Sequence, residues 1–152
     1  MFKLKKLIVE KVGDTNGRDL LACLETEWDG ERIIKSMRYS DEDIASEGVE
    51  KVRQWIKEDH QRIRAYDNGE FFVIGIRAVA TVLHTYDDTN AGSLHEISTA
   101  GLWGIETDSD EDYFTDVGQE ELADLKGIIA DMGIGAEEFD ALTVEWPSAI
   151  EW

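Results

Sequence analysis

The sequence predicts an α+β fold: a largely antiparallel sheet, built from N-terminal hairpins and a central hairpin, with two main helices packed on it. Three observations carry this expectation. The run FFVIGIRAVATVLHT, Phe71 to Thr85, is rich in β-branched and aromatic residues, as buried strands are. From Val49 to Ile63, and again from Leu122 to Met132, apolar residues recur at helical spacing. Strands followed by helix, hairpin and helix suit helices on one face of an antiparallel sheet.

Taken in order, KLKKLIVEKV alternates well enough for a strand, and GDTNG, Gly13 to Gly17, is turn chemistry. DLLACLETEW and ERIIKSMRY flank Asp29-Gly30, a dipeptide that suits a two-residue type I′ hairpin because both turn residues need positive φ. Ser40 to Asp43 reads as a helix N-cap, with the Ser40 hydroxyl offered to free backbone N–H groups. Val49, Val52, Ile56 and Ile63 form one helical stripe with Trp55 beside it, and Asn68-Gly69 is a fitting stop.

The strand over 71–85 is followed by the loop YDDTNAGS and the return strand LHEISTAGLWGIET. With Val82 opposite Ile97, one face collects Phe72, Ile74, Ile76, Ala78 and Val82 against Ile105, Trp103 and Ile97. Arg77 and Glu106 fall on the other face. A second helix is expected over Gln119–Met132. Leu122, Leu125, Ile129 and Met132 face inward, Glu120, Glu121, Asp124 and Asp131 face away, and Gly133 stops it. GAEEFDAL offers one more helical turn, and TVEWPSAIEW carries Trp146 and Trp152, to which the pattern assigns no role.

A chain of 152 residues with no linker, repeat or low-complexity tract suits a single domain over 1–152. Its charge is divided unevenly. Residues 1–77 hold 14 Lys and Arg against 16 Asp and Glu, so the first half is close to neutral. Residues 78–152 hold one base, Lys126, against 18 acids. Such a field repels nucleic acid and attracts basic protein surfaces. Cys23 is the only cysteine, which points to a reducing compartment. The basic N-terminus has an apolar run that stops at Val9, too short for a secretion signal, and no stretch approaches the ~20 apolar residues of a membrane span. A soluble protein of the cytoplasm is expected.

Candidate chemistry is thin. Asp108 to Gln119 imitates the start of a calcium-binding EF-hand loop, with acids at the first, third, fifth and ninth positions. However, Tyr113 stands where the sharp turn wants Gly, and Gln119 where a bidentate Glu is needed. His84 and His95 lie opposite each other in the expected register, with Asp87, Asp88 and Glu96 near. Two imidazoles fall short of the three or four ligands of a zinc site, and polar residues at the wet end of a hairpin account for them. Catalytic motifs and phosphate-binding glycine loops are absent, so an enzyme using the hairpin histidines ranks last among the functions considered. No cofactor or metal is expected. Lys51, Arg53, Lys57, Arg62 and Arg64 alternate with acids on the first helix, as on a solvated face, and direct nucleic-acid binding is disfavoured.

The acidic segment remains. Glu106, Asp108, Asp110, Glu111, Asp112, Asp116, Glu120, Glu121 and Asp124 put nine acids into 19 residues. On a helix this is about one charge per 3 Å, close to the ~3.4 Å per phosphate of one DNA strand. These residues are the candidate partner-binding surface.

The block from VRQWIKEDHQRIRAYDNGEFFVIGIRA through STAGLWGIETDSDEDYFTDVGQEELADLKGIIADMGI, residues 50–134, resembles a group of small acidic proteins of bacteriophages and mobile elements, mostly of unassigned function. The form of the chain is similar, by analogy, to phage anti-CRISPR and anti-restriction inhibitors that mimic DNA. That resemblance implies a non-enzymatic inhibitor, often a homodimer, that binds a basic, nucleic-acid-binding host protein or complex. It supplies no catalytic residues. The alternative expectation is an accessory or structural phage protein whose acidity is incidental, with weak divalent-cation binding.

Overall fold

A computed structural model describes residues 1–21, 26–28, 33–36, 40–86 and 91–152. The fold is α+β, with a mixed six-stranded sheet. The chain forms two compact units, Met1–Asp14 with Val73–Trp152, and Thr15–Phe72.

The first unit contains the six-stranded sheet. Its strands are β1 (Phe2–Gly13), β4 (Val73–Thr85), β5 (Gly92–Ser98), β6 (Leu102–Glu106), β7 (Val144–Glu145) and β8 (Ile150–Glu151). Helix α4 (Glu111–Ala130) packs on β4 and β1, and α5 (Ala136–Asp140) follows it. The order is β5-β4-β1-β7, with β6 also on β4 and β8 also on β1. The expected N-terminal strand is present, but its partners are β4, antiparallel, and β7 and β8, parallel. A register shift between Leu4 and Lys6 places both Leu4 and Leu7 in the core despite their odd spacing, since a bulge adds one residue to one strand.

The central hairpin corrects the expected register in one half and keeps it in the other. Ile74 is opposite Ile105, as expected, yet Val82 is opposite His95 and Ala80 opposite Ile97. The slip of two residues is taken in two single steps, the first at Thr99–Gly101 and the second between Ile74 and Ile76. At the first, the Thr99 N–H donates to the Ala78 carbonyl at 3.0 Å, the Ala78 N–H donates to Thr99 Oγ1 at 3.1 Å, and Gly101 takes φ +83°. A slip of two residues leaves every side chain on its face, so Ile97 and Ile105 still meet the core. Trp103 does not. The second step, between Ile74 and Ile76, with Gly104 at φ +79°, turns the indole over Gly75, on the opposite face of β4. It is 43% exposed, and its Nε1–H donates to the Ala100 carbonyl. Phe72 is also exposed and outside the core.

Helix α4 begins eight residues before the expected Gln119. Phe114 and Val117 extend the buried stripe of Leu122, Leu125 and Ile129, which closes the core against Ile74, Ile76 and Leu7. The helix ends as expected near Gly133. The Gly133 N–H donates to the Ala130 carbonyl and the Ile134 N–H to the Ile129 carbonyl, a Schellman pair that needs the glycine's φ of +87°. Beyond α5, the chain returns to the β1 edge in two short parallel ladders. Trp146 lies against Gly118 of α4 and Trp152 against Gly13 of β1. A Cβ at either glycine would fall within 2.4 Å of the indole carbons.

The second unit contains α1 (Gly17–Leu20), the paired strands β2 (Thr26–Trp28) and β3 (Ile33–Ser36), α2 (Asp41–Glu47) and α3 (Val49–Asp67). β2 and β3 are a two-stranded sheet of their own rather than part of the larger one. The Asp29-Gly30 turn and Cys23 lie outside the described residues. α3 matches its expected span, buries Val52, Ile56 and Ile63, and adds Asp59 to the same buried stripe. Val49 remains exposed. Two of its bases pair with acids one turn away, Lys51 with Glu47 and Arg53 with Glu50.

The cap of α2 is reciprocal. The Ser40 backbone N–H and hydroxyl donate to Asp43 Oδ2, and the Asp43 N–H donates to Ser40 Oγ. The backbone bond first, then the hydroxyl, hold the Asp43 carboxyl below its ordinary value of 3.8. Because the folded value is the lower one, the cap's contribution is present above 3.8 and is lost as pH falls through the folded value. The protection of α2 amides, measured relative to their intrinsic exchange rate at each pH, is therefore expected to fall below pH 3.8 in the native chain. In Ser40→Ala the protection should already be low at neutral pH.

Candidate partner-binding surface

The acids singled out from the sequence do not form one continuous row. Glu106 ends β6 opposite Val73, and Asp108 is exposed in the turn that follows. Asp110 is the N-cap residue of α4, extended at ψ 143°, and its carbonyl accepts the N–H groups of Tyr113 and Phe114. Glu111 and Asp112 occupy the first turn. Three carboxylates at this end face the positive pole of a 20-residue helix, a local reason for their presence.

Asp112, Asp116, Glu120 and Asp124 are all exposed and recur every fourth residue. That spacing stacks them into a ridge, each step rising ~6 Å. Like charges four residues apart destabilise a helix by roughly 0.2–0.5 kcal/mol per pair. Lys126, the one base of this helix, does not relieve them, because its ammonium donates to both carboxylate oxygens of Asp140 on α5, at 2.7 and 2.9 Å.

Glu121 departs from expectation. It is 9% exposed, not outward-facing, and its buried Oε2 has no hydrogen-bond partner among the described residues. It takes a stripe position between Val117 and Leu125, where the spacing of its neighbours wants an apolar side chain. Glu121→Leu is expected to raise unfolding stability by about 1–3 kcal/mol, the usual cost of a buried polar atom left without a partner. Chemical denaturation checks this, and the surface ridge should be unaffected. At the other end of α4 the last turn holds no base, and Asp131, the C-cap residue, puts its carboxylate at the negative pole of the helix. Asp131→Lys should stabilise by up to about 1 kcal/mol, an effect that fades in high salt.

The calcium-loop resemblance of Asp108 to Gln119 fails on geometry, since residues 111–119 are helical and cannot wrap an ion. The histidines are close but not opposite. His84 pairs with Ser93 and its ring centroid is 6.3 Å from that of His95. His84 stacks on Phe2, and His95 Nε2 shares a hydrogen bond with Ser93 Oγ at 2.7 Å. Asp87 and Asp88 lie outside the described residues. Among the described residues no three His, Cys, Asp or Glu side chains are grouped to hold a metal ion, and no helix is long and apolar enough to cross a membrane.

Comparison with protein-family models, with curated proteins and with solved structures finds no match.

Proposed function

We propose that the chain is a non-enzymatic, phage-type inhibitor whose acidic surface occupies the nucleic-acid groove of a basic host defence protein. The supporting observation is the exposed face of α4. Asp112, Asp116, Glu120 and Asp124 present four carboxylates in one ridge over ~18 Å of helix, one every ~6 Å, and Glu111 adds a fifth at the helix start on the side toward β1. A single DNA strand presents one charge per ~3.4 Å. No base of α4 neutralises them, and their mutual repulsion costs the helix stability that a merely solubilising surface could avoid by scattering its charges. Asp108 and Asp110 extend the negative field past the helix start, while Glu121 contributes nothing at the surface.

The direct experiment is capture of host proteins on the immobilised chain, followed by competition with duplex DNA and RNA across a salt series. Loss of the complex on adding nucleic acid, and steep weakening toward physiological salt where the screening length is ~8 Å, support the reading. A complex indifferent to both removes it. One observation favours the alternative of an accessory phage protein with incidental acidity: Asp110, Glu111 and Asp112 already have a structural use at the helix N-terminus. Under that alternative the ridge residues can be neutralised without consequence for any partner.

A further inference from the structure

We infer that a cavity of about 240 Å³ between β1, the start of α4 and the turn after β7 is a binding site for a small zwitterion, a free α-amino acid with an apolar side chain. Its walls include Lys11, Glu111, Phe114, Thr115, Trp146 and Ser148. Lys11 lies on the core-facing side of β1, two residues beyond buried Val9. Its ammonium rests 4.6 Å from the centroid of the Phe114 ring and meets no carboxylate within ion-pair distance among the described residues. Elsewhere in the unit, Lys6, Arg77 and Lys126 each pair with an acid, Glu145, Glu10 and Asp140. The Glu111 carboxylate, on the same cavity, has no hydrogen bond or ion pair with the described residues either.

Two opposite charges therefore share one cavity without meeting. A ligand carrying both charges satisfies both, its carboxylate toward Lys11 and its ammonium toward Glu111. The hydroxyls of Thr115 and Ser148 offer further hydrogen bonds, and the exposed part of the Trp146 indole with Pro147 offers an apolar seat. A simple anion is opposed by Glu111, and a simple cation by Lys11. The volume is below the roughly 300–1,000 Å³ of sites for drug-sized ligands, which restricts the occupant to about one amino acid. This inference does not rest on the partner-binding reading, and changes at Asp116 and Glu120 leave the cavity walls intact.

The test is calorimetry and the Trp146 indole resonance with free phenylalanine, leucine and methionine. Phenethylamine and 3-phenylpropionate serve as analogues keeping one charge each. The zwitterions should bind, with both single-charge analogues weaker by about tenfold or more, the effect of losing one charge-assisted hydrogen bond. Lys11→Met and Glu111→Gln should each weaken phenylalanine by a similar factor. Glu111→Gln lies on an exposed helical position and keeps the fold, so it reports even if Lys11→Met does not fold. No binding by any of the three amino acids at millimolar concentration overturns the site. Equal binding of either single-charge analogue, or full affinity in Glu111→Gln, overturns its zwitterion character.

Discussion

Reversal of two ridge charges, Asp116→Lys with Glu120→Lys, is expected to slow association with the captured host partner by about tenfold or more at low salt. Electrostatic steering is worth ~10–10³ in on-rate, and these two residues stand at the middle of the ridge, away from the helix start. Dissociation should change less, because exposed charges act mainly before contact. The fold should hold or gain slightly, since the substitution turns like-charge pairs at four-residue spacing into opposite ones: Asp112 with residue 116, and residue 120 with Asp124. Surface plasmon resonance over a salt series reads the rate, and a thermal melt reads the fold. An unchanged on-rate would leave the ridge as surface without a partner. The same reversal at Asp110 to Asp112 is less informative, because it sets positive charge against the helix pole and weakens α4 itself.

Leu125→Ala is expected to cost about 2–5 kcal/mol, a large part of the ~5–15 kcal/mol that holds a typical domain folded. Leu125 is 0% exposed, at the centre of the stripe by which α4 covers β4 and β1. Alanine there leaves a cavity between rigid neighbours such as Ile74 and Leu7, and a close-packed interior refills such a void only in part. Denaturant unfolding followed by far-UV circular dichroism checks this. A cost well below 2 kcal/mol would mean that α4 can settle closer to the sheet.

Legibility from sequence followed the strength of local signals. The α3 helix could be read to within a residue, because Val52, Ile56 and Ile63 keep one period and Gly69 supplies the left-handed stop. β4 was legible from β-branched composition alone. The start of α4 was not. Its first turn is a cluster of carboxylates followed by Thr115 and Gly118, residues that favour turns, and its stripe is interrupted by Glu121. Phe114 and Val117 were the available signal, at helical spacing from Leu122 and Leu125. The hairpin register could be guessed only to its parity, since nothing in Thr99-Ala100-Gly101 announces how many residues a backbone detour will absorb. β7 and β8 are two residues each, too short for any period. Of the candidate surface, the acids themselves were legible. Their division into helix pole, exposed ridge and one buried carboxylate required the helix boundary that the sequence withheld.

The placement of β1 in the middle of the sheet has a consequence for how the chain is made. This strand leaves the ribosome before all of its neighbours: β4 follows only after the whole of Thr15–Phe72, and β7 and β8 only after α4 and α5. Even its backbone contact with α5, Leu4 N–H to Glu138 Oε1, spans 134 residues. Pairing so remote is slow to form, and translation at ~5–20 residues per second leaves the strand waiting for seconds. Leu4, Leu7 and Val9 are meanwhile exposed in a segment of high strand propensity, the kind that adheres to copies of itself. Lys3, Lys5 and Lys6 stand within and beside that apolar run, and in the nascent chain their mutual repulsion is the gatekeeper that keeps unfinished molecules apart.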